Sequence, residues 1–434
     1  MSAQTGASQS HDPYQALRFS DFRLLLFGNL LSMMGRQMLA VVVGWDLYNR
    51  TNSALVLGIV GLVQVVPVLL FALVAGHFAD RYDRKLVLVG AQVIVTVASA
   101  GLTFLSYANG SIPLVYACLF LGGIGGSFTL PTTKALGSEV VPEEALENSA
   151  TWQASSTQLA AVVGPGIAGL VIAATGSVTP GYLIATITAG LFVVLPLFVR
   201  GPVRRRVRTV GVSAVQSLGE GLDFLRRTPV ILASITLDMF AVLFGGATAL
   251  LPIYTKNILM VGPEGLGWLR AAPSVGAVLM AMTLAHRPPL KRAGPTLISA
   301  VIGFGVATIV FGLSRSFVLS LAMLFILGAL DNVSVVIRNT LALTRTPNEM
   351  RGRVSAISGL FVSISNQMGE FESGLTAQVF GPIASVVGGG IATILVVLTV
   401  AAAFPDLPRL RALRGGPIDA GVESAARPEA RAAG

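Results

Sequence analysis

The chain has almost none of the residues that bind metals or form disulfides. It contains one cysteine, Cys118, and three histidines, His11, His77 and His286, which are far apart in the sequence. One cysteine cannot form a disulfide within the chain, and scattered histidines lack the ligand spacing of a metal site. We therefore expect no metal centre and no cofactor.

Charge is also scarce, because only 12% of the residues are charged whereas 53% are hydrophobic. The mean hydropathy is +0.75. The apolar residues come in long blocks and not at the spacing of an amphipathic helix, and blocks of about 20 residues match one crossing of a bilayer. The composition predicts an all-α membrane protein whose main partner is the lipid bilayer.

Apolar blocks bounded by Gly, Pro, Asn or charge predict twelve transmembrane helices in two sets of six. The fifth and eleventh blocks are the most polar. The first set is 22–48, 54–78, 86–106, 112–134, 151–174 and 179–199, and the second set is 229–254, 265–285, 294–314, 317–339, 354–376 and 382–404.

The basic residues predict how these spans are oriented. A net charge of +9 would suggest a nucleic-acid partner in a soluble protein. Here most of the Lys and Arg residues fall on the side of the two termini, and the opposite side has only Arg50, Lys256 and Arg315. Basic residues accumulate on the cytoplasmic side of membrane proteins. We therefore expect both termini in the cytoplasm, a location in the cell (inner) membrane, and no nucleic acid.

One long connection divides the chain into two halves. It begins with RGPVRRRVR and continues with an apolar stripe of Val215, Leu218, Leu222 and Leu225, which predicts an amphipathic helix at the inner membrane surface with its arginines facing anionic lipid. The predicted parts are a disordered N-terminus at 1–13, a six-helix bundle at 14–200, a cytoplasmic linker at 201–228, a second six-helix bundle at 229–404 and a disordered tail at 405–434.

The link between the second and third spans, VAGHFADRYDRKLVLVG, concentrates charge in an apolar chain. It fits the pattern Gly-x-x-x-Asp-Arg-x-x-x-Arg-Lys, and the matching residues are Gly76, Asp80, Arg81, Arg84 and Lys85. With this pattern, twelve spans and a long central loop, the chain resembles the major facilitator superfamily. Within the superfamily, the chain resembles the branch that contains enterobactin exporters and macrolide efflux proteins, and the segments that carry this resemblance are NQMGEFESG, PNEMRGRVSA and VGPGIAG. The resemblance implies two pseudo-symmetric six-helix bundles and a secondary transporter.

The resemblance also implies that this link is a conformational latch, which joins the cytoplasmic ends of the two halves in one alternating-access state. Gly76 would let another helix approach closely. The carboxylate of Asp80 can accept hydrogen bonds at the N-terminus of a neighbouring helix. The alternative is an ordinary basic loop on the cytoplasmic side.

Span five contains Gly164, Pro165 and Gly169, which resemble the antiporter motif of the superfamily with Ala160 in place of the upstream glycine. The alternative is that these residues serve close helix packing and a proline kink. The sequence leaves both interpretations open.

Ionisable groups within spans are costly and are therefore functional candidates. Arg36 in span one shares a helix face with Asn29 and Ser32, Asp238 lies in span seven, and Asp331 lies in span ten. In the superfamily, spans one, four, seven and ten line the central cavity. The resemblance thus implies that these charges face the substrate.

Span eleven contains Glu370 and Glu372, which point to different sides of the helix. A carboxyl group in an apolar cavity can bind or release a proton near neutral pH. Asp238, Asp331 and Glu370 are therefore candidate proton carriers, with Arg36 as a counter-charge. The alternative is a buried structural ion pair, for example Arg36 with Asp331.

Three further observations bear on the coupling. Family members often have an arginine in span four before a glycine-rich run, but the matching position here is near Leu119, so Arg36 is a candidate substitute. Arg270 and Arg338 lie near span ends and are expected to extend to the membrane interface. No Gly-x-x-x-x-Gly-Lys-Ser/Thr loop is present, which argues against ATP-driven transport.

The expected function is the export of an amphipathic small organic compound of the drug or siderophore type, by exchange with protons, in a monomeric protein. One alternative is an importer or facilitator on the same fold, and another is a membrane scaffold without transport. A membrane enzyme is disfavoured, because no nucleophile, histidine and acid fall within one region.

Overall fold

The structure is a computed structural model that describes residues 12–200, 214–288 and 292–410. Its first helices are α1 (Ser20–Thr51), α2 (Ala54–Arg81), α3 (Arg84–Tyr107), α4 (Ile112–Glu139), α5 (Leu146–Thr175) and α6 (Thr179–Val194). The later helices are α7 (Ala214–Arg227), α8 (Pro229–Phe244), α9 (Leu251–Ile253), α10 (Gly262–Ala285), α11 (Ala293–Leu313), α12 (Phe317–Arg345), α13 (Asn348–Phe380), α14 (Pro382–Ala403) and α15 (Asp406–Arg409).

Eleven helical segments in the described ranges are long and apolar enough to cross a bilayer, and they correspond to predicted spans one to ten and twelve. The eleventh prediction falls on α13, which is long enough at 33 residues but is not among them. Span seven is also less regular than predicted. Its helix α8 ends at Phe244, and short 3-10, α and π turns lead on to Ile258.

The chain folds into two compact units. The first comprises Met1–Arg50, Val63–Gly211 and Gly262–Ala271. The second comprises Thr51–Leu62, Val212–Val261 and Ala272–Gly434. Each unit contains most of one predicted bundle and the first part of one helix from the other, namely α10 in the first unit and α2 in the second. The predicted division at the linker therefore describes only part of the packing.

Contacts between glycines explain why α2 begins in the second unit. A Cβ built on Gly58 would lie 2.9 Å from the Cα of Gly374 on α13. A Cβ on Gly61 would lie 2.8 Å from the Cβ of Glu370. Because glycine has no side chain, the backbones of α2 and α13 can approach to a distance that any other residue would prevent.

The same arrangement places the start of α10 in the first unit. A Cβ on Gly169 of α5 would lie 2.9 Å from the Cα of Gly267 on α10. A Cβ on Gly267 would lie 2.7 Å from the carbonyl oxygen of Pro165. Close backbone packing of α5 against α10 therefore depends on two glycines that face each other.

The segment before α1 is attached to the start of α5. The carbonyl oxygen of Pro13 accepts hydrogen bonds from Asn148 Nδ2 at 2.8 Å and Trp152 Nε1 at 3.0 Å, and the ring of Tyr14 lies 6.1 Å from that of Trp152. The predicted end of the disordered N-terminus at residue 13 therefore falls inside a folded contact. The rest of that predicted segment, 1–11, lies outside the described residues.

The chain also stays folded beyond the predicted end of the second bundle at 404. Leu407 of α15 is fully buried, and the carbonyl oxygen of Leu410 accepts a hydrogen bond of 3.0 Å from the backbone N–H of Gly294 at the start of α11. Residues 405–410 thus belong to the second unit, contrary to the predicted boundary. The remainder of the predicted tail lies outside the described residues.

Residues 214–227 of the linker form the predicted helix, α7, and Leu225 of its apolar stripe contacts protein. Leu225 is fully buried in a cluster with Ile231 and Ile235 of α8 and with Val354 and Ile357 of α13. Glu220 forms an ion pair with Arg353 of α13. At this end of α7 the apolar stripe therefore packs on an apolar surface of the second unit, and the position of the helix at the inner membrane surface stays a prediction. The arginines at 204–208 lie outside the described residues.

Candidate functional site

The second unit contains a buried ion pair between α8 and α12. Asp238 is 4% exposed and Arg338 is 6% exposed, and the guanidinium of Arg338 contacts the carboxylate of Asp238. The expectation that Arg338 extends to the membrane interface was wrong. Arg338 lies seven residues after Asp331, so the two share the face of α12 that is turned towards α8.

A small pocket with a cavity volume of about 10 Å³, room for roughly one water-sized sphere, lies next to this pair, within the second unit. Its polar lining consists of Asp238 from α8 and of Asp331 and Ser334 from α12. Its other walls are apolar and come from α8, α11 and α12, with Ala241, Val242, Val301, Phe304 and Leu330. The structure therefore brings two of the predicted proton carriers, Asp238 and Asp331, to one pocket.

The two acids of this pocket differ in their contacts. Asp238 is paired with Arg338, whereas no hydrogen bond or ion pair joins the carboxylate of Asp331 to another described residue. Ser334, one turn further along α12, is 3% exposed, and its Oγ has no hydrogen-bond partner in the described part of the chain. The pocket thus contains an unpaired carboxyl group and an unpaired hydroxyl group side by side.

Arg36 lies in the middle of α1, in the first unit, with an exposed side chain. A Cβ built on Gly126 of α4 would lie 3.9 Å from Arg36 Nη1. Gly126 ends the glycine-rich run GGIGG, which leaves the space beside α4 free for the guanidinium. Family members often have an arginine on the fourth span, before this glycine-rich run. Here an arginine side chain lies beside the run itself, but it belongs to Arg36 of α1.

A buried polar chain connects α1, α3 and α4 one turn before Arg36. Ser32 Oγ donates to Gln92 Oε1 at 3.3 Å, and Gln92 Nε2 donates to Thr129 Oγ1 at 3.1 Å. Asn29 is buried on the same side of α1. Sequence reasoning missed Gln92 because it considered uncharged polar residues only where they share a helix face with a charged one, although a glutamine in an apolar span was a visible signal.

A second polar group at the other end of α1 was also missed. Asp46 is 8% exposed and accepts a hydrogen bond of 3.1 Å from the hydroxyl of Tyr182 on α6. Arg50, one turn later, lies 3.8 Å from the same carboxylate. Asp46 is the one acid inside the predicted first span, and this alone could have identified it.

The latch residues that the structure describes bind within the first unit. Arg84 forms an ion pair of 2.5 Å with Glu139 at the end of α4. Lys85 Nζ donates to the carbonyl oxygens of Leu197 and Val199 at 2.9 and 3.0 Å, beyond the end of α6. These two basic residues therefore hold the ends of α3, α4 and α6 together.

The acidic part of the motif is only partly described. Asp83 caps α3, because its carboxylate accepts a hydrogen bond of 2.8 Å from the backbone N–H of Lys85. Asp80 lies in the last turn of α2, but its side chain lies outside the described residues, and Arg81 is exposed. No described atom lies within 4 Å of a Cβ built on Gly76, so the expected close approach of another helix is not present there.

The glycine-proline motif of α5 lies against two different helices. A Cβ on Gly164 would lie 2.8 Å from the carbonyl oxygen of Met34 and 2.8 Å from the Cβ of Gln37, both on α1. Pro165 and Gly169 face Gly267 of α10, as described above. Each residue of the motif thus takes part in close helix packing, which is the structural alternative that the sequence left open.

The two glutamates of α13 have different surroundings. The Cβ of Glu370 lies beside Gly61 of α2. Glu372 Oε2 accepts a hydrogen bond of 3.5 Å from the neighbouring Ser373 Oγ, and Ser373 faces Gly246 after α8. Neither glutamate lines the pocket that contains Asp238 and Asp331.

Comparison with known proteins gives the class to which this helical architecture belongs. A family model described as Major Facilitator Superfamily matches residues 25–370, which is more than half of the chain. The chain belongs to the Major Facilitator Superfamily. It is therefore a multi-pass membrane transporter and not an enzyme, as the motif after the second span predicted.

Three relatives extend over most of the chain. The multidrug efflux pump Tap of Mycolicibacterium fortuitum is 29% identical, over 90% of this chain and 96% of Tap. The enterobactin exporter EntS of Shigella boydii is 25% identical, over 90% of this chain and 93% of EntS. Macrolide efflux protein A of Streptococcus pyogenes is 24% identical, over 83% of this chain and 90% of that protein. The predicted resemblance to the enterobactin and macrolide exporters is confirmed.

A solved structure shows the same fold. A bacterial homologue of the human lysosomal transporter Spinster, in an inward-facing and unoccupied conformation, gives a TM-score of 0.70 at 15% identity, over 92% of this chain and 98% of the homologue. The predicted fold class, an all-α membrane protein with the major facilitator fold, is confirmed. The number of twelve crossings stays a prediction.

Proposed function

We propose that the chain exports an amphipathic small organic compound, of the drug or siderophore type, in exchange for protons. The names of the three relatives support the direction, since each is an efflux pump or exporter. An importer or facilitator on the same fold is the alternative, and it differs in the direction of net movement.

The observation on which the coupling rests is the unpaired Asp331 in its apolar pocket. Asp331 is half-buried, and a carboxylate that is partly removed from water without a partner is costly, a cost that protonation removes. The charged groups near it are Asp238 on α8 and Arg338 on α12, which are paired with each other, whereas α11 contributes the apolar Val301 and Phe304. Asp331 is therefore the proposed proton carrier, and the Asp238–Arg338 pair is the fixed charge beside it.

Two predicted bundles, 14–200 and 229–404, would alternately open the substrate site to the two sides of the membrane. The predicted orientation places both termini in the cytoplasm of a cell whose inner membrane contains the protein. Within this scheme Arg36, Asn29, Glu370 and Glu372 remain candidates for the substrate cavity, and Gly76, Asp80 and Arg81 remain candidates for the latch. The active form would be a monomer.

The test is a screen in cells that lack their own efflux pumps. Cells that express the chain should accumulate less of at least one amphipathic compound than cells that express Asp331→Asn, at equal amounts of protein in the membrane. Membrane vesicles should then move that compound when a pH gradient is imposed. Movement in the importing direction, or equal transport by Asp331→Asn, would reject the proposal.

A further inference from the structure

The pocket between α8, α11 and α12 has the composition of a site for a small cation. Its polar atoms are the carboxylate oxygens of Asp238 and Asp331 and the hydroxyl oxygen of Ser334. Oxygen ligands of this kind suit hard cations, and no nitrogen or sulfur ligand of His or Cys lines the pocket. A transition metal is disfavoured, because the described residues include no group of three His, Cys, Asp or Glu that could hold one.

The charges around the pocket limit the ion to a single positive charge. Asp238 and Asp331 contribute two negative charges when both are ionised, and Arg338 contributes one positive charge. One negative charge is left within apolar walls, where an uncompensated charge is costly. One monovalent cation makes the group neutral, whereas a divalent ion would leave it positive.

Two properties of the pocket favour a metal cation over a proton alone. The first is a cavity of about 10 Å³ beside the acids, which has room for roughly one water-sized particle and which a bound proton does not require. The second is Ser334, whose buried Oγ has no partner among the described residues although it faces this space. A buried hydroxyl without a hydrogen bond loses free energy that a ligand would restore.

We propose that this pocket binds one sodium ion through oxygen atoms of Asp331, Ser334 and Asp238. The ion occupies the position at which protonation of Asp331 would otherwise neutralise the pocket, so sodium and proton compete. The consequence for coupling rests on the proposed proton exchange, but binding of the ion is measurable without transport. The two proposals can therefore fail separately.

The test is equilibrium binding of ²²Na⁺ to the purified full-length protein in detergent, in a buffer whose other cation is choline. Wild-type protein should bind about one ion per chain. Ser334→Ala should bind sodium about tenfold more weakly, since one oxygen ligand is lost. Asp331→Asn should bind no sodium in the same range.

Ser320→Ala is the matched control. Ser320 is also a fully buried serine of α12, but its hydroxyl donates to Ser314 Oγ at 3.0 Å and it does not line the pocket. Its replacement should leave sodium binding unchanged. If Asp331→Asn does not fold, the comparison of the two serine variants still decides the question.

Competition with protons gives a second readout. Addition of sodium to lightly buffered wild-type protein at a pH where Asp331 holds a proton should release protons, and Ser334→Ala should need about tenfold more sodium for the same release. The proposal is overturned if the wild type shows no saturable sodium binding, or if Ser320→Ala weakens binding as much as Ser334→Ala. Proton-driven export in sodium-free vesicles would then still support the proposed function.

Discussion

The pair of Asp238 and Arg338 shows how single residues determine the chemistry of this transporter. Each charge is almost completely removed from solvent, and each contacts the other. Removing two charges from water is expensive, and their mutual attraction offsets the cost only while both are present. Asp331, in the same pocket, has no such partner among the described residues, which is why we propose it as the residue that changes its charge state.

We expect Arg338→Met to destabilise the protein by about 3–5 kcal/mol, because it leaves Asp238 buried without a counter-charge. The double variant Asp238→Leu/Arg338→Met should regain most of that loss, because it removes both charges. The free energy of unfolding in detergent measures both effects. Arg315→Met, at an exposed position before α12, is the control and should change stability by less than about 0.5 kcal/mol. Equal stability of the single and double variants would contradict this account.

Two pairs of helices are in close backbone contact through glycines. Gly374 of α13 faces Gly58 of α2, and Gly169 of α5 faces Gly267 of α10. Gly374 follows Gly169 by 205 positions, and the same separation joins Pro142, shortly before α5, to Pro347, immediately before α13. Gly169 and Gly374 are therefore equivalent positions of the two halves, and each contact joins a helix of one predicted bundle to a helix of the other.

The same substitution at two positions of α13 tests this packing. A methyl group on Gly374 would overlap the backbone of α2, whereas one on Gly359 would meet open space among the described atoms. We expect Gly374→Ala to destabilise the protein by about 1–3 kcal/mol. Gly359→Ala should stabilise it by about 0.5–1 kcal/mol, because alanine favours the helix. Thermal unfolding of both variants decides the question, and a stable Gly374→Ala protein would show that the contact is not required.

The proposed alternating access requires a conformational change of the whole molecule, and a substitution in the predicted latch tests this proposal. We expect Asp80→Asn to slow transport by about tenfold while substrate affinity stays within about twofold, because the latch acts on the conformational step and not on the site. The measurements are initial transport rates in vesicles and substrate binding to purified protein.

Asp83→Asn is the control for this prediction. Asp83 caps α3, and asparagine is also a good capping residue, so this variant should keep both rate and stability. A normal transport rate in Asp80→Asn would remove the latch from the mechanism. A loss of substrate binding in Asp80→Asn would show that the residue acts on the fold.

Local properties of the sequence were sufficient to predict the class of protein. The length and apolarity of a helix are set by its own residues, so the positions of most spans and of α7 followed from the sequence. The motif after the second span identified the superfamily for the same reason, since its residues are adjacent in the chain. The irregular end of α8 was not foreseen, because its turns depend on the neighbours of Gly245 and Gly246, which α11 and α13 supply.

The sequence by itself determined that this is an all-α membrane protein of the Major Facilitator Superfamily, because apolar length and a contiguous motif do not depend on which helices meet. Only the tertiary structure decided that Arg338 neutralises Asp238, that Asp331 and Ser334 share a pocket without a partner among the described residues, and that Leu225 packs on protein. Whether a side chain on a helix is buried, forms an ion pair or lines a pocket depends on the helix that packs against it. Only the complete fold determines which helices pack together.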